Sequence, residues 1–300
     1  MVLFSLAFEG DRKIDEYIRL ALYAEELGFY SFQIYEHLPF NPAIPISFII
    51  ANYTKRIKIG PVTIPVFLYN PLQLARYISF LNEISNGRAI VGISRGAYYE
   101  YFGKEVKRSI FDVINFLKEF EINLKKMSWS GNIEIYVGTS GPVLAKKALS
   151  VEIVSGIVVD MLWNPYYARK MKELLISSGK NRYVKLIARP FTFISKDFEK
   201  EKSKFIGILR TYIKELVGNS PMLEAANIKF EELNETRIIE EKVIPNFTAA
   251  GSIEDILEQT AKMVDAGVDH ICYGHPLSSQ PFEAMKLIKD KIMTYFNSLI

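Results

Sequence analysis

One short pattern recurs along the chain: a helical segment ends at a glycine, and an apolar strand follows almost at once. It occurs at Gly28, Gly87 and Gly267. Glycine takes the left-handed conformation just past a helix end without strain, so each of these residues is expected to end a helix. Helices that alternate with buried strands are typical of a parallel sheet with helical crossovers. The pattern therefore predicts an α/β fold.

Strands and helices alternate roughly eight times over the 300 residues. Eight such units in a chain of this length favour a (β/α)8 TIM barrel over an open sheet. Residues 197–245 break the alternation, because they are rich in lysine and glutamate, mostly helical in pattern and too long for one crossover. We interpret residues 1–300 as one TIM-barrel domain. Within it, 197–245 is a helical insertion before the eighth strand, with its charged residues on a solvated face.

The composition argues against several classes of function. A net charge of +3, from 37 basic and 34 acidic residues, gives no strong basic field, so nucleic acid is not an expected partner. The single cysteine, Cys272, rules out a disulfide framework and favours a reducing interior. No apolar run approaches the roughly 20 residues that span a bilayer, and the first residues do not resemble a signal peptide. We expect a cytoplasmic protein without a membrane segment.

In a TIM barrel the site lies at the carboxyl ends of the strands. Gly92 and Gly96 bracket one such end, where the backbone can approach a ligand closely. His270 and His275, with Cys272 between them, do not have a zinc-ligand spacing, so no metal site is predicted. The predicted loops after the strands are 36–37, 61–64, 94–97, 138–141, 163–164 and 273–275.

Several stretches of the chain resemble one known superfamily. The stretches are 26–37, 81–92, 135–142 and 266–274, and they are spread over most of the chain outside the insertion. The most specific of them contains the helix stop Ser-Asn-Gly-Arg at 85–88. On these residues the chain resembles the bacterial-luciferase-like superfamily of flavin- and F420-dependent barrels. Within that superfamily it is most similar to the F420-dependent methylenetetrahydromethanopterin reductases.

The resemblance implies a set of site residues. Glu36 stands where F420-using relatives have an aspartate near the deazaflavin ring, and His37 matches a histidine that assists proton or hydride chemistry. A non-proline cis peptide bond that the family places after the third strand falls at Val62–Thr63. The implied cofactor-binding residues are Val62, Thr63, Ser94, Arg95, Gly96, Ala97, Gly138, Thr139, Ser140, Gly141 and Asn164. Of these, 138–141 correspond to a phosphate-binding loop that opens onto a helix N-terminus.

The activity implied by the resemblance is hydride transfer between F420 and a small substrate, with a methylene-pterin as the substrate of the most similar group. The chain departs from the family pattern at Val62, Arg95, Ala97 and Ser155. These departures leave two alternatives open. One is an FMN-dependent monooxygenase or reductase of the same superfamily, and the other is a non-catalytic relative that has lost the cofactor. The resemblance also implies a homodimer or homotetramer.

Three features keep two interpretations each. His37 is either catalytic or a structural hydrogen-bonding residue. The aromatic cluster 98–102 forms either a wall of the substrate cleft or a helix on the barrel rim. Arg95 either holds a phosphate or carboxylate of the cofactor or pairs with Glu100.

Overall fold

The structure, a computed structural model, describes residues 2–97, 110–178, 182–217 and 220–298. The strands are β1 (Leu3–Phe8), β2 (Ser31–Ile34), β3 (Lys58–Pro61), β4 (Ile64–Pro65), β5 (Ile90–Ser94), β6 (Glu134–Gly138), β7 (Val154–Asp160), β8 (Lys185–Arg189), β9 (Phe191–Ile194), β10 (Thr248–Gly251), β11 (His270–Tyr273) and β12 (Pro276–Leu277). The α-helices are α1 (Ile14–Leu27), α2 (Ala43–Tyr53), α3 (Pro71–Ile84), α4 (Ile110–Leu124), α5 (Pro142–Ala148), α6 (Pro165–Ser178), α7 (Phe198–Val217), α8 (Pro221–Ala225), α9 (Thr236–Ile238), α10 (Ile244–Phe247), α11 (Ile253–Asp265), α12 (Pro281–Leu287) and α13 (Thr294–Asn297). Within the described ranges, no helix has the length and apolar character needed to cross a membrane.

Nine strands form one parallel sheet in the order β3-β2-β1-β11-β8-β7-β6-β5-β4. The two edge strands, β3 and β4, are separated in sequence only by Val62 and Thr63. A further bridge joins Ile59 of β3 to Ala89, just before β5. Thus β3 and β4 share one position in a nearly closed barrel, which then has eight strand positions. The predicted (β/α)8 architecture is confirmed.

The helix ends follow the sequence pattern. Gly28, Gly87 and Gly267 have φ values of 82°, 82° and 93°, which is the left-handed conformation predicted for them. Two helix starts also have a sequence signal, because Asn70 caps α3 and Ser252 caps α11, each in a reciprocal capping box. These local signals place the strands that carry the site.

A second, smaller sheet lies beyond the ends of the barrel strands. Its three parallel strands have the order β10-β9-β12, and only Pro190 separates β8 from β9. The described part of 197–245 is helical, as predicted. On one side of α7 the apolar residues Phe205, Leu209 and Tyr212 are buried. The ring of Phe205 packs against Phe193 of β9 at 5.2 Å between centroids, which joins the inserted helices to this sheet.

The amino-terminal ends of the barrel strands surround a polar cluster. The Glu134 carboxylate lies 3.0 Å from Lys58 Nζ and 2.8 Å from Lys185 Nζ, and it accepts hydrogen bonds from the hydroxyls of Tyr30 and Tyr136. Burial alone would raise the pKa of Glu134, but these donors lower it to about 2. The charged side chains at this end of the barrel therefore pair with one another. The site is expected at the opposite end.

His270 is fully buried near this cluster, with Nε2 2.7 Å from Ser5 Oγ. Burial lowers its pKa to about 3, with a further contribution from Lys185 that Glu134 opposes. Because the folded pKa lies below the unfolded value, the unfolded chain binds more protons as the pH falls below 6.5, and stability is lost in that range. As the pH falls from 6 to 4, we expect the free energy of unfolding to decrease by about 1 kcal/mol per pH unit because of His270.

The measurement is urea unfolding of the wild type and of His270→Gln across that pH range. The difference between their free energies of unfolding should change with pH, since glutamine does not titrate. A constant difference would show that His270 does not stay neutral in the folded protein.

Candidate active site

A cavity of about 490 Å³ opens at the carboxyl ends of the barrel strands. This volume is typical of small-molecule and cofactor sites. Most of the predicted site residues line it, namely Glu36, His37, Thr63, Ser94, Arg95, Gly96, Ala97, Gly138, Thr139, Ser140 and Gly141. They come from the ends of different strands, so closure of the barrel brings them together.

Glu36 follows β2 and lies at the start of α2. Its Oε2 accepts a hydrogen bond of 2.9 Å from the N–H of Ala43, the first residue of that helix. The N-cap residue Pro42 provides no side-chain acceptor, and the first turn has no acidic residue, so Glu36 supplies the acceptor that this helix N-terminus otherwise lacks. Burial raises the pKa of Glu36 to about 7, against the opposing effect of the Ala43 hydrogen bond. At neutral pH this carboxyl group can therefore hold or release a proton inside the cavity.

The raised pKa of Glu36 has a consequence for stability. The folded protein is stabilised by the neutral carboxyl group, and this contribution is lost as the pH rises from the unfolded value of 4.5 through the folded value of about 7. The gap between these values corresponds to a loss on the order of 3 kcal/mol at pH 8. We expect Glu36→Gln to be more stable than the wild type at pH 8 and close to it at pH 4.5, as measured by urea unfolding. Equal stability at both pH values would contradict the raised pKa.

Next to Glu36, His37 belongs to a cluster of polar and aromatic side chains on the cavity wall. Its Nδ1 lies 3.0 Å from Oε2 of Glu9, a buried residue just after β1. Its ring is 6.0 Å from the ring of Tyr212 in α7, which in turn is 5.7 Å from the ring of His275. His37 therefore has a structural hydrogen bond and also lines the cavity, so it combines features of the two sequence-based interpretations.

His275 lies directly before β12 and is 8 % exposed. Burial lowers its pKa to about 4, so the imidazole is neutral at pH 7. Among the described residues, none forms a hydrogen bond with its buried Nδ1. The sequence placed His275 in a predicted loop at a strand end but assigned it no role, and the fold places it on the cavity wall.

The loops after β3, β5 and β6 meet in one packed unit. The peptide bond Val62–Thr63 is cis, as the family resemblance implied. Thr63 Oγ1 donates to Ser94 Oγ over 2.9 Å, and Ser94 Oγ also accepts from the N–H of Gly96 over 3.2 Å. A Cβ atom at Gly138 would lie only 2.7 Å from Thr63 Cγ2. Only glycine at position 138 therefore allows the three loops to approach in this way.

Two predicted cofactor-binding residues, Val62 and Asn164, are not among the described residues that line the cavity. The side chain of Val62 is buried in the barrel interior. Asn164 caps α6, because its Oδ1 accepts from the N–H of Tyr167 over 2.9 Å, and its Nδ2 donates to Asn246 over 2.6 Å. Both polar atoms of the Asn164 side chain therefore have partners within the fold.

The cluster 98–102, including Glu100, lies outside the described residues.

Sequence reasoning missed several residues of the wall, among them Glu9, Asp160, Arg189 and Tyr212. Asp160 and Arg189 end β7 and β8, so the same strand-end rule that selected Glu36 would have found them. Tyr212 had no such signal, because its position on an amphipathic helix predicts only burial.

Comparison with known proteins agrees with this geometry. Residues 3–109 match the model of the luciferase-like monooxygenase family. The chain is 25 % identical to 5,10-methylenetetrahydromethanopterin reductase of Archaeoglobus fulgidus, over 97 % of this chain and 98 % of the relative. The chain is thus similar to luciferase-like monooxygenases over residues 3–109 and to the reductase over nearly its full length.

Solved structures share the fold over nearly the full length of the chain. The F420-dependent tetrahydromethanopterin reductase from Methanopyrus kandleri superposes with a TM-score of 0.80 at 22 % identity, covering 98 % of this chain and 99 % of that one. The oxygenating component of 3,6-diketocamphane monooxygenase from Pseudomonas putida, in complex with FMN, superposes with a TM-score of 0.70 at 17 % identity, covering 97 % and 98 %. The fold is thus shared with both F420- and FMN-dependent enzymes.

Proposed function

We propose that this protein is an F420-dependent oxidoreductase that transfers a hydride between the deazaflavin and a small substrate. A reductase of the methylenetetrahydromethanopterin type is the specific form that we favour. The observation that carries the proposal is the end-to-end match with the reductase of Archaeoglobus fulgidus, which covers 97 % of the chain. The cavity supports it, because it places a carboxyl group with a pKa of about 7 at the carboxyl ends of the barrel strands.

The cavity residues fit a flat ring system with an anionic tail. A Cβ at Gly141 would meet no neighbouring atom closer than Thr139 Oγ1 at 3.8 Å, so the backbone there is open to a ligand. Arg95 places a cationic side chain on the wall, and Ser94 and Ser140 add hydroxyl groups. We infer that the loops 94–97 and 138–141 hold the cofactor. When bound, F420 would supply the hydride from its ring carbon C5.

The protein's own residues bind, orient and handle protons. In its neutral form Glu36 can donate its carboxyl proton to a substrate nitrogen, and in its ionised form it can take the proton back. Glu9 fixes the ring of His37 through the 3.0 Å contact. Phe191 and Tyr212, whose rings are 5.4 Å apart, exclude water from the same wall. A pterin as the substrate, inferred from the relatives, is part of the proposal.

The test is a fluorescence titration of the purified protein with F420 and, separately, with FMN. Micromolar affinity for F420 with weak affinity for FMN would support the proposal and justify assays with methylenetetrahydromethanopterin. The likeness to an FMN-bound monooxygenase makes an FMN-dependent enzyme the second candidate, and tight binding of FMN alone would favour it. Binding of neither would overturn both and favour a relative that has lost the cofactor. Riboflavin serves as a control ligand that lacks the phosphate.

A homo-oligomer is also part of the proposal, and one surface supports it. Helix α2 has no charged residue, and its Tyr53 is 54 % exposed. On the neighbouring α3, Leu72 and Phe80 are 48 % and 49 % exposed, and the ring of Phe80 contacts that of Phe48 in α2. Apolar side chains gathered on two adjacent helices favour burial against a second copy of the chain.

We expect Phe80→Glu to dissociate this homo-oligomer, because it would place a charge in the buried surface. Light scattering after size-exclusion chromatography gives the mass in solution. The matched control is Ile176→Glu on α6, where the residue is 71 % exposed and lies away from α2 and α3. A mass that Phe80→Glu leaves unchanged would argue against this surface.

The cytoplasmic location stays a prediction.

A further inference from the structure

An ion pair that the proposed mechanism does not use lies on the cavity wall. Asp160 and Arg189 are register partners at the carboxyl ends of the adjacent strands β7 and β8. The guanidinium binds the carboxylate in a fork, with Nε 2.5 Å from Oδ1 and Nη2 2.9 Å from Oδ2. Arg189 is sealed from solvent, whereas the side chain of Asp160 is 29 % exposed, and both residues line the cavity. The exposed partner of this pair is thus the carboxylate.

The remaining nitrogen of the Arg189 guanidinium and the face of the group also contact neighbouring residues. Nη1 of Arg189 donates to the carbonyl of Val62 and lies 3.5 Å from Oε1 of Gln33. The guanidinium carbon stacks 4.3 Å from the centre of the Tyr35 ring. Burial disfavours the charge on Arg189, but Asp160 more than compensates and raises the pKa of the guanidinium. A planar fork that is fixed on several sides also fixes the plane of the carboxylate it binds.

A structural role alone explains this arrangement poorly. Buried ion pairs seldom stabilise a fold more than well-packed apolar residues would. The residue that follows Asp160 is also unusual, since Met161 lines the cavity with a φ of 59°, in the left-handed region that non-glycine residues seldom occupy. Such backbone conformations cluster at ligand sites, where the surrounding structure holds them in place. The N–H of Met161 donates to the carbonyl of Arg189 over 2.9 Å, which ties the unusual residue to the same pair.

We propose that Asp160 binds a ligand in the cavity by accepting a hydrogen bond from an N–H or O–H donor, and that Arg189 is the residue that positions it. The fork uses one lone pair on each carboxylate oxygen, and each oxygen has another to offer. The donor belongs either to the cofactor or to the second substrate, since both carry such groups. The inference rests on the proposed function for the nature of these ligands.

The experiment separates a binding carboxylate from a mere counter-ion. Asp160→Asn alone leaves the buried charge of Arg189 without a partner, and the variant is expected to be strongly destabilised. The double variant Asp160→Asn with Arg189→Gln removes both charges together and leaves two amides able to pair. We expect the double variant to recover most of the free energy of unfolding that Asp160→Asn loses.

Binding should not recover in the same way. We expect the double variant to have at least tenfold weaker affinity for F420 by fluorescence titration, or at least tenfold higher KM for the second substrate with F420 saturating. The first result assigns the donor to the cofactor, and the second assigns it to the substrate. A stable double variant with wild-type affinity and wild-type KM would overturn the proposal, because Asp160 would then serve only to neutralise Arg189.

A second variant keeps the proposal testable if the double variant does not fold. Asp160→Glu keeps both charges and moves the carboxylate by one methylene group, so the same loss of affinity or rise in KM is expected. Unchanged values would overturn the proposal. Asp290→Asn, an exposed acidic residue near the end of the chain, is the control. If the wild type binds neither F420 nor FMN, the proposed function fails as well, whereas binding that is insensitive to Asp160 removes this inference alone.

Discussion

Replacing Arg88 with methionine is expected to lower the free energy of unfolding by about 4 kcal/mol, because it leaves several buried acceptors without a donor. Arg88 follows the helix stop before β5, and its side chain is buried. The guanidinium donates to the Ser85, Ile57, Ala51 and Thr54 carbonyls and to the Thr54 hydroxyl, at 2.6 to 3.0 Å. One side chain thereby ties the end of α3 to the end of α2 and the start of β3.

Urea unfolding at pH 7 measures this effect. Arg88→Lys keeps the charge but has three donors on a single nitrogen, so we expect an intermediate loss. Arg169→Met, at an exposed position of α6, is the matched control and should change stability by less than about 0.5 kcal/mol. A loss for Arg88→Met as small as that of the control would show that its hydrogen bonds contribute little. The match of the helix stop at 85–88 to the family would then have a reason other than stability.

Replacing Glu36 with glutamine is expected to reduce kcat for hydride transfer by about a hundredfold or more, because glutamine cannot give up a proton. The pKa of Glu36 of about 7 also predicts a pH dependence. If the neutral carboxyl group donates its proton to the substrate, the activity of the wild type falls as the pH rises above 7. In Glu36→Gln this inflection should disappear, while the affinity for F420 changes little.

The measurement is the oxidation of reduced F420 with a methylene-pterin, followed over pH 5.5 to 9 by absorbance. Glu36→Asp serves as the conservative variant, since it keeps a titratable group in a shorter side chain and should retain a pH inflection. Full activity of Glu36→Gln would exclude Glu36 as the proton donor. A lower kcat together with an unchanged pH profile would assign the effect to positioning instead.

The architecture and part of the site could be predicted from the sequence because their signals are local. A glycine such as Gly87 ends a helix wherever it occurs, and apolar segments after such stops form buried strands. Once the strands are counted, the barrel follows, and the residues after each strand end become candidates. Glu36, His37 and the loops at 94–97 and 138–141 were found in this way, and they do line one cavity.

The properties of those residues depend on partners that are distant in sequence. The proton affinity of Glu36 depends on burial and on α2, and the Asp160–Arg189 pair exists because β7 and β8 lie side by side in register. Tyr212 reaches the cavity only because α7 packs on the second sheet, and Asn164 has the same kind of strand-end position as Glu36 but caps a helix instead. By itself, the sequence determined the fold and the end of the barrel that carries the site, since periodicity and helix stops act over short distances. The tertiary structure decided which side chains meet, how deeply they are buried and which protons they hold, because these depend on how the barrel closes.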